Sequence, residues 1–315
     1  MVLQSKLVIL LLICSFLSHT ESFANSDMDS DKNASLIGYG DALIFGLVEG
    51  VTEFLPISST GHLILTKEWI LSVSEMERVE QDAINSYLIV IQVGAIFAVA
   101  LLYSRRIVAV IMGFMGLDPV GKKLGINLLM AFIPAAALGP LLDEWIESFL
   151  FGVVPVSVAL ILGAFLMFWA EKRKRRLDGY DGDAGKKLED LNVKDALLVG
   201  LLQCVAMCPG TSRSMMTIVG GYLVGLTRRH AAEFSFLLGL ITLTAAAAYK
   251  ALTTGEALVR YLDLGPMLFG CLIAGISAAV SVHWLVGYLS RHGLSLFVWY
   301  RIGLGFLILI YFWVF

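Results

Sequence analysis

Two carboxylates four residues apart, Glu49 and Glu53, stand in an otherwise apolar stretch just before the hydroxyl-rich run Pro56-Ile57-Ser58-Ser59-Thr60-Gly61-His62. A spacing of four puts both on one face of a helix. Neighbouring carboxylates repel unless a cation lies between them. Oxygen ligands suit Mg²⁺ or Ca²⁺, and Mg²⁺ commonly takes one or two carboxylates together with phosphate oxygens. Pro56 ends the helix, because the residue before a proline is pushed out of the helical region. Ser58, Ser59 and Thr60 are good N-caps for a following helix, whose free N–H groups form an anion site. If that helix starts near Ser59, His62 lies about one turn away, within reach of the hydroxyl. Hydroxyl and imidazole make a minimal nucleophile–base pair. Alone, the spacing describes a capping serine and a buried, hydrogen-bonded histidine equally well.

A second stretch, GLLQCVAMCPGTSRS (Gly200 to Ser214), looks like a copy of the first, GLVEGVTEFLPISSTGHL (Gly46 to Leu63). Gly46 aligns with Gly200, Glu49 with Gln203 and Val51 with Val205; a one-residue slip then pairs Pro56 with Pro209 and Ser59 with Ser212. Here the loop carries Arg213, and a guanidinium matches phosphate oxygens bidentately without losing its charge. Two helix starts, an arginine and several hydroxyls form a phosphate cradle if the copies cross. Carboxylates beside it then call for a cation, and the set fits metal-assisted phosphoryl transfer from a membrane-embedded substrate. The rival class is a transporter or lipid flippase, since duplicated broken helices are common in secondary transporters; mere binding would not need Ser59 and His62 beside two carboxylates. Glu233, Arg301 and Gln92 either line this site or, the preferred reading, pair among themselves and support packing.

The elements that must position these groups follow from composition. Of 315 residues, 58% are hydrophobic and 16% charged, and mean hydropathy is +0.81, against about a quarter charged in soluble domains. This predicts an all-α polytopic membrane protein. A net charge of −3 argues against nucleic acid as a partner. The four cysteines lie in apolar surroundings; Cys204 and Cys208 share a helix face but lack a second ligand pair at zinc spacing and read as packing residues. Lys6 followed by the apolar run Leu7 to Leu17 and by Ser22-Phe23-Ala24 predicts a signal peptide over 1–24, with an uncleaved anchor as the alternative; a polar linker covers 25–37. The membrane domain then covers 38–315, as repeat one (about 38–170), a basic loop (171–194) and repeat two (about 195–315).

Eight apolar units are read at 40–71, 86–103, 124–142, 150–170, 196–226, 231–251, 265–289 and 295–314. Treating 40–71 and 196–226 as re-entrant broken pairs leaves about six full spans, three per repeat, and an odd number inverts the second repeat. Loop charges agree. One side holds Arg105, Arg106, Lys122, Lys123, Lys172, Arg173, Lys174, Arg175, Arg176, Lys186, Lys187, Lys194, Arg228, Arg229 and Arg291, fifteen in all; the other holds four, Lys67, Arg78, Lys250 and Arg260. By the positive-inside rule the first pair opens outside and the second enters from the cytoplasm.

Taken together, Glu49-x-x-x-Glu53, Pro56-Ile57-Ser58-Ser59-Thr60-Gly61-His62 and Pro209-Gly210-Thr211-Ser212-Arg213-Ser214, with Ala232-Glu233-Phe234-Ser235-Phe236 and Trp299-Tyr300-Arg301, resemble the bacitracin-resistance type undecaprenyl-diphosphate phosphatases. The resemblance runs from about Ile37 to Phe315. It implies an inverted repeat with two re-entrant pairs in the bacterial inner membrane, a site facing the periplasm, and hydrolysis of undecaprenyl diphosphate to the monophosphate, recycling the carrier for peptidoglycan and other envelope polymers. It implies Mg²⁺ or Ca²⁺ as cofactor, with Glu49 and Glu53 assisting metal binding. Ser59 would be the nucleophile and His62 its base, although attack by the histidine stays open. Arg213, helped by Thr60, Ser212 and Ser214, would hold the diphosphate. The partners expected are the polyprenyl diphosphate and membrane lipids, and a homodimer stays open. The chain departs from the family pattern at Met215 and Met216, where glycine commonly follows, and at Cys208, usually aliphatic.

Overall fold

The computed structural model describes residues 36–71, 76, 78–178, 184–261 and 263–314; the signal peptide predicted over 1–24 and the linker up to residue 35 lie outside them. Among the described residues the regular structure consists of α-helices, with one 3₁₀ turn at Leu188–Asp190 and one isolated bridge between Lys186 and Leu226 besides. In chain order these are Tyr39–Thr52 (α1), Ser59–Leu71 (α2), Arg78–Leu102 (α3), Ser104–Phe114 (α4), Pro119–Leu150 (α5), Val153–Asp178 (α6), Val193–Val205 (α7), Arg213–Leu223 (α8), Arg228–Tyr261 (α9), Leu264–His292 (α10) and Ser295–Val314 (α11). Six of them, α3, α5, α6, α9, α10 and α11, are long and apolar enough to cross a membrane. The pairs α1–α2 and α7–α8 are the broken units.

Local chemistry sets the helix ends. Asp118 caps α5 by accepting from the N–H groups of Val120 and Gly121, with Pro119 in the first helical position, where its missing N–H costs nothing. Asn192 caps α7 in a reciprocal box with Asp195. Helix α5 continues through Pro134 and Pro140, so it is longer than the predicted 124–142. Helix α4 was not expected: Arg105 and Arg106 read as loop, and the apolar run behind them is too short to span. It is a surface helix with Val108, Ile111 and Phe114 exposed.

The two halves are related by exchange. Helix α10 packs along α1 and α5 along α7, while α3 meets α9 and α6 meets α11. Swapping α1 with α7, α3 with α9, α5 with α10 and α6 with α11 returns the same set of pairs. Gly46 lets α1 approach the α10 backbone at Gly270, and its counterpart Gly200 lets α7 approach α5 at Ala131.

Polar contacts separate two faces. On one, Lys67 donates to Asn85 and Lys250 pairs with Asp143. On the other, Arg106 pairs with Glu189 and Glu233, Lys123 donates to the Glu189 carbonyl, Lys186 holds Asp195, and Arg228 holds Glu171. The basic loops predicted to share a side are thus tied together. Glu233 pairs with Arg106 here, away from Arg301. Helices α1 and α2 open toward the first face and α7 and α8 toward the second, so the broken pairs enter from opposite sides and meet midway.

A β-carbon at Gly46 or Gly200 would collide with backbone carbonyl oxygen across the contact. Gly46→Val and Gly200→Val are each expected to cost about 1–3 kcal/mol, seen as a lowered thermal transition in detergent. Unchanged transitions would contradict the close approach.

Candidate active site

The two loop tips are stitched to each other. Ser214 donates its hydroxyl to the Phe54 carbonyl at 2.6 Å, and the Arg213 guanidinium lies 5.1 Å from the centre of the Phe54 ring. Both tips turn on a serine in the left-handed region, Ser58 with φ 72° and Ser212 with φ 73°. That conformation is unfavourable for a residue with a β-carbon and is typically found at functional turns. Each serine then caps the helix that follows: Ser58 Oγ accepts from Gly61 N–H and Ser212 Oγ from Met215 N–H. These equivalences correct the slipped alignment. Ser58 corresponds to Ser212, and Ser59 to Arg213, in the same unbroken register that relates Gly46 to Gly200.

Glu53 joins the two half-helices. Ser59 donates to its Oε2 at 2.6 Å and Arg213 Nη2 to its Oε1 at 2.8 Å. Ser59 and Arg213 are the first residues of α2 and α8, so two helix N-termini converge on one carboxylate. Gly239 leaves room for the guanidinium, whose Nη1 also donates to the Ser235 carbonyl. Glu49, one turn earlier, is 1% exposed, and its Oε1 has no hydrogen-bond partner; Gln92 of α3 lies beside the same carboxyl group.

The expected Ser59–His62 contact is not formed. His62 Nδ1 bonds the Ser58 carbonyl at 2.7 Å and Nε2 the Tyr300 hydroxyl at 2.6 Å. A carbonyl only accepts, so Nδ1 carries the proton and the lone pair is on Nε2. The Tyr300 ring stacks on the imidazole at 5.6 Å between centroids. The Ser59 proton goes to Glu53 because the turn at 53–57 folds that carboxylate back over the helix start. Of the other candidates, Ser212 and Ser214 use their hydroxyls to build the tips, whereas Thr60 is half-buried with no hydrogen bond to its hydroxyl among the described residues.

Two contributors were missed as site residues. Tyr300 lies far along the chain from His62, and no local pattern connects them. Arg301, read as a packing or pairing group, is 0% exposed and, among the described residues, has no carboxylate partner. It donates to the carbonyls of Pro56 and Gly210, one in each tip, and to those of Ala159 and Leu160 on α6. Gly163 makes space for it. A charge in a membrane segment was the available signal, but not its partners.

A profile of the family described as Bacitracin resistance protein BacA matches residues 42–307. The chain belongs to this family. Similar relatives include Undecaprenyl-diphosphatase 2 of Rhodospirillum rubrum, 43% identical over 86% of this chain and 94% of the relative. Undecaprenyl-diphosphatase of Nitrosomonas europaea is 42% identical over 85% and 93%. The protein of that name from Acinetobacter baumannii is 44% identical over 85% and 94%. The matched region contains both loop tips, the second broken pair, all but the first residues of α1, and Tyr300 and Arg301.

The donor set at Glu49 and Glu53 fits a hard divalent cation in one specific sense. Among the described residues no cluster of three acidic, histidine or cysteine side chains could enclose a metal, so the protein offers two carboxylates at most, one with an orphaned oxygen. That is the ligand supply expected where phosphate and water complete the shell. Replacing Arg301 by methionine strands the Pro56 and Gly210 carbonyls in an apolar interior, at about 1–3 kcal/mol for each left unpaired, while those of Ala159 and Leu160 keep their partners within α6. Arg301→Met is expected to lower the thermal transition far more than Arg301→Lys, which keeps a donor. Equal transitions for wild type and Arg301→Met would remove the arginine from its role as tie between the tips.

Proposed function

We propose that this chain hydrolyses undecaprenyl diphosphate to undecaprenyl phosphate and inorganic phosphate, returning the lipid carrier to peptidoglycan and envelope polymer synthesis, with the bacitracin resistance that the family name describes. The observation that carries the reading is the Glu53 carboxylate, shared by a hydroxyl and a guanidinium between two helix N-termini. Ser59 Oγ attacks the terminal phosphorus, and its proton passes to Glu53 Oε2, already its hydrogen-bond acceptor. The bond from that phosphorus to the bridging oxygen breaks, and undecaprenyl phosphate leaves. Water then releases phosphate from the serine, with His62 Nε2 as the base once the Tyr300 hydroxyl turns aside. Arg213 exchanges Glu53 for phosphate oxygens, Thr60 adds a hydroxyl, and the first-turn N–H groups of α2 and α8 hold the developing charge.

In the resting structure the Glu53 carboxylate is balanced by the Arg213 guanidinium, while the Glu49 Oε1 has no hydrogen-bond partner among the described residues. A diphosphate upsets that balance, and this supports a divalent cation, Mg²⁺ or Ca²⁺, held by Glu49 and Glu53; when bound it neutralises phosphate charge and polarises the phosphorus–oxygen bonds. The site opens to the periplasm of an inner-membrane protein in this reading, supported by the sparse positive charge on the face from which α1 and α2 enter.

Phosphate release by purified protein tests the assignment. Ser59→Ala, His62→Ala and Arg213→Ala are each expected to lose about 10²-fold or more, and retained turnover in all three would overturn the site. An acid-stable phosphoenzyme marks Ser59 as nucleophile, and an acid-labile one transfers that role to His62. Glu49→Gln should raise the cation concentration needed for half-maximal rate severalfold; an unchanged titration, or activity insensitive to EDTA, would contradict the metal role.

A further inference from the structure

Helix α6 continues past its apolar stretch, which ends at Ala170, with two unlike faces. On the inner one, Glu171 accepts from Arg175 and Arg228 and from the N–H of Leu294, Arg175 reaches Ser295, and Lys174 donates to the Ala184 carbonyl. Every charge there is answered by the protein. The other face carries Trp169, Lys172, Arg173, Arg176 and Leu177, spaced as one stripe of an α-helix. Those three cations are exposed and have no partner among the described residues. Trp169 is 52% and Leu177 61% exposed, and the five side chains line a groove of about 280 Å³.

We propose that this groove binds the headgroup of an acidic phospholipid in the leaflet on the basic face. The three cations supply the charge that a phosphodiester lacks. Trp169 stands where the apolar span ends, the level at which indole rings settle among headgroups, and Lys and Arg stems of this length keep their charged ends at the interface while lying along acyl chains. A soluble anion would use the cations but leave Trp169 and Leu177 uncovered. The lipid consequently anchors the same helix whose Ala159 and Leu160 carbonyls hold Arg301. The proposal is independent of the chemistry at Glu53.

The test uses the full chain in neutral detergent, titrated with phosphatidylglycerol, phosphatidylcholine or inorganic phosphate, with the thermal transition and lipids retained in native mass spectrometry as readouts. Phosphatidylglycerol is expected to raise the transition and stay bound, and the other two to do neither. The Lys172→Gln, Arg173→Gln, Arg176→Gln triple variant should bind it at least about tenfold more weakly. A control with the same charge loss on the same face, Arg105→Gln, Arg229→Gln, Arg291→Gln, should bind as wild type does. Equal retention by wild type and the triple variant overturns the site, as does equal loss in the control, or a shift reproduced by inorganic phosphate. If the triple variant does not fold, Arg173→Gln alone is expected to weaken retention severalfold, and undiminished retention rejects the proposal.

Discussion

A single guanidinium on α11 decides where the two broken helix pairs end. Arg301 is sealed from solvent and, among the described residues, answered by carbonyl oxygens alone, two of which belong to opposite loop tips. Turns inside a membrane leave backbone carbonyls that lipid cannot satisfy, and a buried charge is costly unless dipoles surround it. Each problem solves the other. The tips are held because the arginine needs them, and the arginine stays charged because the tips supply oxygen. Ser214, bonded to the Phe54 carbonyl, adds a direct stitch.

From that constraint the site follows. Once the tips are joined, equivalent positions in an inverted duplication face one another. Duplication alone would give two identical groups; divergence has placed a hydroxyl at the head of α2 and a guanidinium at the head of α8. Both reach the same carboxylate, because only repeat one keeps acidic residues in this region: Glu49 aligns with Gln203 and Glu53 with Met207 in the unbroken register. Repeat two thus supplies the guanidinium and repeat one the hydroxyl and the carboxylates. Gln203 accepts from Thr242, much as Gln92 flanks Glu49, so the neutral copy keeps the frame without the charge.

Glu53 is engaged on both oxygens, which makes Arg213 its counter-ion. The orphaned Oε1 of Glu49 and Nε of Arg213 are the unsatisfied positions of the cluster among the described residues. His62 is held by the Ser58 carbonyl on one side and Tyr300 on the other, which fixes its tautomer and covers its lone pair. The strained serine therefore has two roles: its left-handed backbone turns the chain, and its carbonyl orients the histidine.

Much was legible without coordinates. The apolar runs, their proline breaks and the loop charges gave the two broken pairs, the six spans and the grouping of basic loops, because burial in lipid and backbone satisfaction are local demands written into every window of the chain. Glu49, Glu53, Ser59, His62 and Arg213 stood out as polar groups a membrane segment tolerates only with a use or a partner. Their pairings were not legible. Spacing along one helix suggested Ser59 with His62, but the turn at 53–57 brings Glu53 to Ser59 instead, and Tyr300 and Arg301 come from the far end of the chain. Helix α4 was missed because its 11 residues are too few to span a membrane, the length by which the apolar units were picked out. Sequence determined which residues are expensive to bury and where the chain must break; only the tertiary structure decided which of them satisfy one another, because hydrogen-bond partners are chosen by proximity in space, and proximity here is set by the crossing of two inverted repeats.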